Sequence, residues 1–378
     1  QAEDGIRDVE RSRGLGDVYK RQVYTVHRLA EEEARYEDHF LDWLKWYEVD
    51  DKEKVMYFSG YGWGKISLEA LSAYYADRVV SVSKTYLYTI REFFQKFPFD
   101  IVAKSTYVFN GIQNSSEIKP KIKREERKKL LSSIGMHDAP MVLYVGRLDR
   151  RQKGFHVLLA SIENYFSRRF DPEIERIVWD TKFILKVSEG DQSLFDWAKE
   201  MEKRYPDNVR VISEWVDISR YYNAADIVVV PSTFEPFGLV QVEAMARGCI
   251  VVGSDVGGIR DTVVDFYKRW DMVNDRVGYP TGFLAPPGNS DELANKLVEA
   301  VAIAKVLYMK ELVGKNSEYF VKLLDVIKKR LPKEIANPLS LNPYYFEWLS
   351  KNAIKRARQF SIKRSSEEYV ALYRSLLP

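Results

Sequence analysis

The sequence predicts an α/β protein built from doubly wound parallel sheets, and at 378 residues it is long enough for two domains with sizeable cores. Two observations carry this reading. Short, continuous apolar runs such as Ile227–Val230 and Met141–Val145 read as strands buried on both faces, as in a parallel sheet. Between them, apolar residues recur every three to four positions, as with Phe155, Leu158, Leu159, Ile162 and Phe166, and read as helices that cover those faces. The alternation persists along the chain and implies a doubly wound order.

Composition narrows the partners. The chain is 46% hydrophobic and 30% charged, and its 58 basic and 55 acidic residues leave a net charge of only +3. Such a balance gives no support for nucleic acid or a membrane surface as the main partner. No apolar run approaches the roughly 18 residues of a membrane span. The single cysteine, Cys249, excludes an internal disulfide framework, suits a reducing cytoplasm and reads as a small hydrophobe at the head of a strand. Residues 1–22 lack a helix or strand period, and their tail, Gly14 to Gln22, resembles translated sequencing-adapter read-through. They are expected to be a non-native leader, with the first domain beginning at residue 23.

Taken in order, Val23–Val26 is a strand with His27 at its carboxyl end, where open α/β sheets place ligand contacts. Ile66–Tyr75 reads as a helix, Ala76–Ser83 as a turn and strand, and Thr106–Phe109 as a strand closed by an Asn110-Gly111 turn. This first part spans 23–112. The charge-dense Lys119–Lys129 reads as a solvated helix opening the second domain. Strand Met141–Val145 then runs into Gly146-Arg147-Leu-Asp-Arg-Arg-Gln152-Lys153-Gly154. Two cations, Arg147 and Lys153, bracket that strand-to-helix loop, as expected for neutralising a diphosphate, with plain surface charge as the alternative. Further strands follow at Phe183–Val187 and Val209–Ile212, with a short helix at Tyr221–Ala225; His156 reads as packing.

The stretch Ile227–Val252 organises the rest. Strand Ile227–Val230 ends at Pro231, a loop carries Glu235, a helix from Leu239 carries Glu243, and Gly248 stops that helix before the strand Ile250–Val252. The two carboxylates could be solvated surface groups. As a glycosidase pair they would need about 5–9.5 Å between them; eight residues of helix span roughly 12 Å, so they read as two separate contacts.

Glu235-Pro-Phe237-Gly238-Leu239, with Glu243 eight residues after Glu235, then Gly257-Gly258-Ile-Arg-Asp261-Thr262-Val263, resembles the donor-site signature of retaining GT-B glycosyltransferases. The Asp-Thr-Val tail is more narrowly similar to glycogen and starch synthases of the archaeal type. Gly-Arg147-Leu and Gln-Lys153-Gly fit the same family, as does Tyr24-Thr-Val-His27-Arg-Leu. The resemblance implies two Rossmann-like domains facing a cleft. It implies transfer of glucose from ADP- or UDP-glucose to the non-reducing end of an α-1,4-glucan, with retention and without a metal or other cofactor. By the same resemblance, Arg147 and Lys153 bind the diphosphate and Glu235 holds sugar hydroxyls with backbone help from Phe237, Gly238 and Leu239. Glu243 contacts the ribose, Gly257, Gly258 and Thr262 complete the donor site, and His27 lies against the transferred sugar. Phe40, Trp43, Trp46, Tyr47, Tyr57, Tyr61 and Trp63 could stack on an acceptor glucan, and a buried helix face explains them equally well.

The sequence departs from the family at both ends of its own pattern. The Lys-x-Gly-Gly loop and the His-Asp-x-His segment of the family's first domain do not occur, so the first domain is expected to be incomplete, which leaves the activity of this chain alone open. The second domain, 113–345, carries apparent insertions near 266–279 and 305–345, and 346–378 is expected to return as helices to the first domain. The competing readings are a GT-B transferase acting on a lipid or small-molecule acceptor, and a non-catalytic nucleotide- or glycan-binding fragment.

Overall fold

The computed structural model describes residues 21–29, 68–95, 97, 99–113, 120–168, 175–178 and 180–377. The chain divides into two units: one holds the described residues up to Phe109 and those from Ser365 onward, and the other runs from Asn110 to Arg364.

In the first unit, strands β1 (Val23–Val26), β2 (Arg78–Ser81) and β3 (Ser105–Tyr107) form a parallel sheet in the order β1-β2-β3, with helices α1 (Leu68–Tyr75) and α2 (Lys84–Phe94) between them in sequence. Ser83 takes the N-cap of α2, accepting a hydrogen bond from the Tyr86 backbone N–H. The last two residues of the expected leader, Arg21 and Gln22, lie against the first unit. Arg21 donates to Asp77 at 2.7 Å, and the Gln22 carbonyl accepts from the Asp77 backbone N–H at 2.9 Å, so both residues are tied to the entry of β2. Residues 1–20 and the aromatic stretch from Phe40 to Trp63 lie outside the described residues.

The second unit is built on a six-stranded, all-parallel sheet of β4 (Met141–Leu148), β5 (Lys182–Gly190), β6 (Val209–Ile212), β7 (Ile227–Val230), β8 (Ile250–Ser254) and β11 (Gly282–Ala285), in the order β11-β8-β7-β4-β5-β6. Around it, in chain order, lie α3 (Pro120–Ser133), α4 (Phe155–Ser167), α5 (Glu175–Val178), α6 (Gln192–Arg204), α7 (Ile218–Ala224), α8 (Leu239–Ala246), α9 (Gly257–Thr262), α10 (Ser290–Val313), α11 (Glu318–Arg330), α12 (Lys333–Leu341) and α13 (Tyr345–Ala357). Helix α14 (Ile362–Arg374) begins in this unit and passes into the other at Ser365. Every residue of β7 is buried, as its continuous apolar run requires. The strand order reverses at β4: the chain moves outward through β5 and β6, then returns to place β7 on the other side of β4. Ligands of doubly wound sheets bind outside the carboxyl ends of the strands at such a reversal.

Two expectations change. Helix α3 is not solely a solvated helix: Lys123 and Arg127 are buried, and Arg127 grips both Asp226 oxygens at 2.8 Å and Asp138 at 2.8 Å. Asp226 also accepts from the Met141 backbone N–H at 2.9 Å, which ties the feet of β4 and β7 together. Helix α13 belongs to the second unit and not to a returning pair. It buries Leu349, Ser350, Ala353 and Ile354, and a Cβ on Gly248, just after α8, would overlap the Ser350 hydroxyl. Residues 266–279, expected as an insertion, hold a small antiparallel hairpin, β9 (Trp270–Asp271) with β10 (Arg276–Val277).

Residues 305–345, expected as a second insertion, are largely helical, as their pattern suggests, and α10 buries Lys305. Burial pushes the Lys305 ammonium down to about 8, opposed by Asp180 and reinforced by Lys182 and Arg127. The unfolded chain therefore binds more protons than the folded one between about pH 8 and the ordinary 10.5. Urea titrations should show the parent gaining stability relative to Lys305→Met across that window as pH rises. Asp226→Ala, which removes the bidentate partner of the buried Arg127 guanidinium and leaves it Asp138, should lower unfolding free energy by about 1–3 kcal/mol in the same assay.

Candidate functional site

Two loops leave adjacent strands at the reversal point, 149–154 after β4 and 231–238 after β7. Thr233 donates its backbone N–H to the Gln152 carbonyl at 2.9 Å, which fixes one loop against the other. Gly154 makes the approach possible: its φ of +60° lies in the left-handed region, and a Cβ there would overlap the Pro231 carbonyl oxygen. Across this contact the Lys153 ammonium donates to Glu235 Oε2 at 2.7 Å. Glu235 is 7% exposed, so the alternative of a solvated loop carboxylate does not hold. Ser232 adds a longer contact to the same oxygen at 3.4 Å.

Arg147 stands at the end of β4, half exposed, with its guanidinium on the Gln152 side chain at 3.0 Å and near Asp149 at 3.6 Å. Tyr144 lies beneath both loops and donates to the Arg147 carbonyl at 2.9 Å. Burial first, then the charges of Asp149 and Glu235 against that of Arg147, push its phenol upward, so the hydroxyl stays a neutral donor. The structure thus gathers Arg147, Lys153 and Glu235 around one strand end. Their cations flank the first turn of α4, whose backbone N–H groups add positive field.

Glu243 occupies a different contact. It is half-buried on α8 and takes a hydrogen bond from the Tyr222 hydroxyl, whose phenol burial and Glu243 together push up. Gly238, at φ +82°, starts α8; Leu239 is 44% exposed at its first position and Phe237 is buried. Helix α9 abuts the Glu235 loop through its two glycines. The Gly258 N–H donates to the Glu235 carbonyl at 2.9 Å, and Cβ atoms on Gly257 and Gly258 would overlap the Glu235 carbonyl and the Phe237 backbone. Thr262 is fully buried and donates to the Gly258 carbonyl at 2.8 Å, while Gln241 reaches both Phe237 O at 2.7 Å and Thr262 Oγ1 at 3.1 Å. Thr262 therefore braces the site from behind.

His27 is exposed at the end of β1 in the first unit. The turn at Asp191 is structural: Asp191 caps α6 through Ser193 and holds Arg150 at 2.9 Å, and Ser193 and Arg150 bring its carboxyl down to about 2. His156, expected as packing, is the second residue of α4. Its shielded Nδ1 has no hydrogen-bond partner among the described residues.

Residues 123–311 match the family model described as glycosyl transferases group 1, and residues 12–104 match the starch synthase catalytic domain, a match that starts within the expected leader. Soluble starch synthase 1 of Solanum tuberosum is 27% identical over 254 residues, covering 60% of this chain and 36% of the potato protein. Glycogen synthase of Fusobacterium nucleatum is 28% identical over 310 residues, covering 77% of this chain and 60% of that protein. The chain thus spans between 36% and 60% of the length of these curated relatives. Among solved structures, Anabaena HepE in complex with UDP-glucose superposes with a TM-score of 0.56 at 20% identity, covering 99% of this chain and 76% of that one. At this identity the likeness shows the fold, the GT-B type of α/β protein.

Gly154→Ala should destabilise the protein by more than Gly288→Ala, since Gly288 shares a positive φ of +76° but has nothing within 4 Å of an added Cβ. The left-handed backbone alone is worth about 1–2 kcal/mol, and the clash with Pro231 adds to it. Equal losses in paired urea melts would show that the two loops do not meet at this carbonyl.

Proposed function

Because the chain belongs to the glycosyl transferases of group 1, we propose that it moves glucose from ADP- or UDP-glucose to the non-reducing end of an α-1,4-glucan with retention, as a glycogen synthase would. The observation that carries this reading is the 2.7 Å contact between Lys153 and Glu235 at the strand reversal. It places a cation for phosphate and a carboxylate for hydroxyls side by side, which is the juxtaposition at the C1–O bond of a sugar nucleotide.

Breaking that bond leaves negative charge on the departing nucleoside diphosphate. In this reading Lys153 and Arg147 receive that charge, assisted by the first turn of α4, and act most strongly where the charge is greatest, in the transition state. Glu235 orients the sugar through its hydroxyls. A carboxylate accepts more than one hydrogen bond, so the Tyr222 contact leaves Glu243 able to take a ribose hydroxyl. His27 contacts the transferred sugar. Side-chain cations and backbone dipoles stabilise the leaving group in this scheme, and no bound metal is invoked.

The potato and Fusobacterium relatives, with the starch synthase match, support a glucan acceptor. Isotope transfer from ADP-glucose and from UDP-glucose onto glycogen, measured on the whole protein, tests the reading. Incorporation from either donor is expected, and none from both rejects it. Nucleotide binding without turnover would favour a non-catalytic module instead. Lys153→Ala and Glu235→Ala should each lower kcat by about 10²–10³-fold with a much smaller effect on thermal stability. Unaltered transfer in both would remove these residues from the mechanism.

A further inference from the structure

The 266–279 stretch is not accounted for by the transferase reading, yet one of its residues reaches the back of the donor site. Arg356, near the C-terminus of α13, is 4% exposed. Its guanidinium makes four hydrogen bonds with distinct acceptors. Nη2 donates to the Asp261 carbonyl at 2.6 Å and Nε to the Thr262 carbonyl at 2.9 Å, and Nη1 donates to Asp271 Oδ1 at 2.8 Å and to Gln359 Oε1 at 2.8 Å. The first two acceptors are the last carbonyls of α9, which a helix leaves without intrahelical partners. A cation at this end also opposes the partial negative charge of the helix.

The other end of α9 is the Gly257-Gly258 contact with the Glu235 loop. Helix α9 has only six residues, so a shift at one end is felt at the other. Little slack exists at that far end, because Cβ atoms on either glycine would overlap the 235–237 backbone. Arg356 therefore pushes on a short, close-fitted strut whose tip holds the carbonyl of Glu235.

Asp271 sets the direction of the guanidinium. It sits in β9 of the hairpin, 6% exposed, and its other hydrogen bonds come from Asn274 at 2.6 Å and the Val273 backbone N–H at 3.0 Å. A planar guanidinium with one edge on two carbonyls and its remaining donors on a carboxylate has a single orientation. The hairpin is thus joined to α9 through one side chain.

We propose that Arg356, oriented by Asp271 of the hairpin, is a positioning residue for the donor sugar: it sets α9, and through α9 the loop that carries Glu235. The hairpin acts on sugar recognition without touching the ligand. This inference rests on the transferase reading, since it assigns the Glu235 loop to the glucosyl half of the donor. It distinguishes the two halves of that ligand. Arg147, at the end of β4, and Lys153, on the loop after it, lie one contact further from α9 than Glu235 does, so binding of the nucleoside diphosphate alone should depend on Arg356 less than binding of the sugar nucleotide.

The test compares affinities by calorimetry for ADP-glucose and ADP, and for UDP-glucose and UDP, in the parent and in Asp271→Asn. The substitution keeps the shape and removes the charge that aims the guanidinium. The ratio of sugar-nucleotide to nucleotide affinity should fall about tenfold, because the sugar nucleotide loses more affinity than the nucleotide does. Gln359→Ala, which removes a second contact to Arg356 from a half-buried position, should move the ratio in the same direction and serves if Asp271→Asn does not fold. A ratio equal to that of the parent in a folded variant, with only the urea midpoint reduced, overturns the inference and leaves the pair a structural brace. A parent that binds neither ADP nor UDP rejects the transferase reading and this inference with it. A parent that binds them, with unchanged ratios in the variants, rejects this inference alone.

Discussion

The reversal of strand order between β4 and β7 is the constraint from which the site follows. Two parallel strands that are neighbours in the sheet but distant in sequence send their loops out at the same edge, and no helix can cover the gap between them. Lys153 and Glu235, 82 residues apart, meet at that gap. The meeting needs backbone to pass close to backbone, and Gly154 permits it where a side chain could not. The two loops are further joined by the Thr233 to Gln152 hydrogen bond, so the ion pair stands on a rigid base.

Much of the second unit is legible in the sequence because its signals are local. β7 coincides with the apolar run Ile227–Val230, and a strand buried on both faces leaves few other readings of such a run. The pairing of Lys153 with Glu235 was within reach through the family resemblance; spacing alone left Glu235 a candidate for a solvated surface group. The burial of Lys123 and Arg127 had a visible sign. They stand four residues apart and continue to Leu130 and Leu131, so they lie on the apolar face of α3 and not on its wet side. The density of charge around them concealed it.

Other features have no local signature. Arg356 and Asp271 are 85 residues apart, and nothing near either residue names the other. Helix α13 looked like part of a terminal helical pair because its amphipathic pattern says that it packs, without saying on what. The role of Thr262 is similar: its motif is readable, but a motif does not tell a ligand contact from the buried brace that the hydroxyl becomes here. Tertiary partners decide these cases, and a single sequence does not contain them.

The tie at the feet of β4 and β7 carries a historical consequence. Arg127 and Asp226 are each 6% exposed or less on their side chains, and replacing either deprives the other of its bidentate partner, Arg127 keeping Asp138. Neither position can drift alone, whereas an apolar pair of similar volume could take over both at once. Descendants of this chain should therefore carry either the whole ionic couple or a greasy substitute for it, with intermediates rare, and the substitution record at these two sites would read as one event.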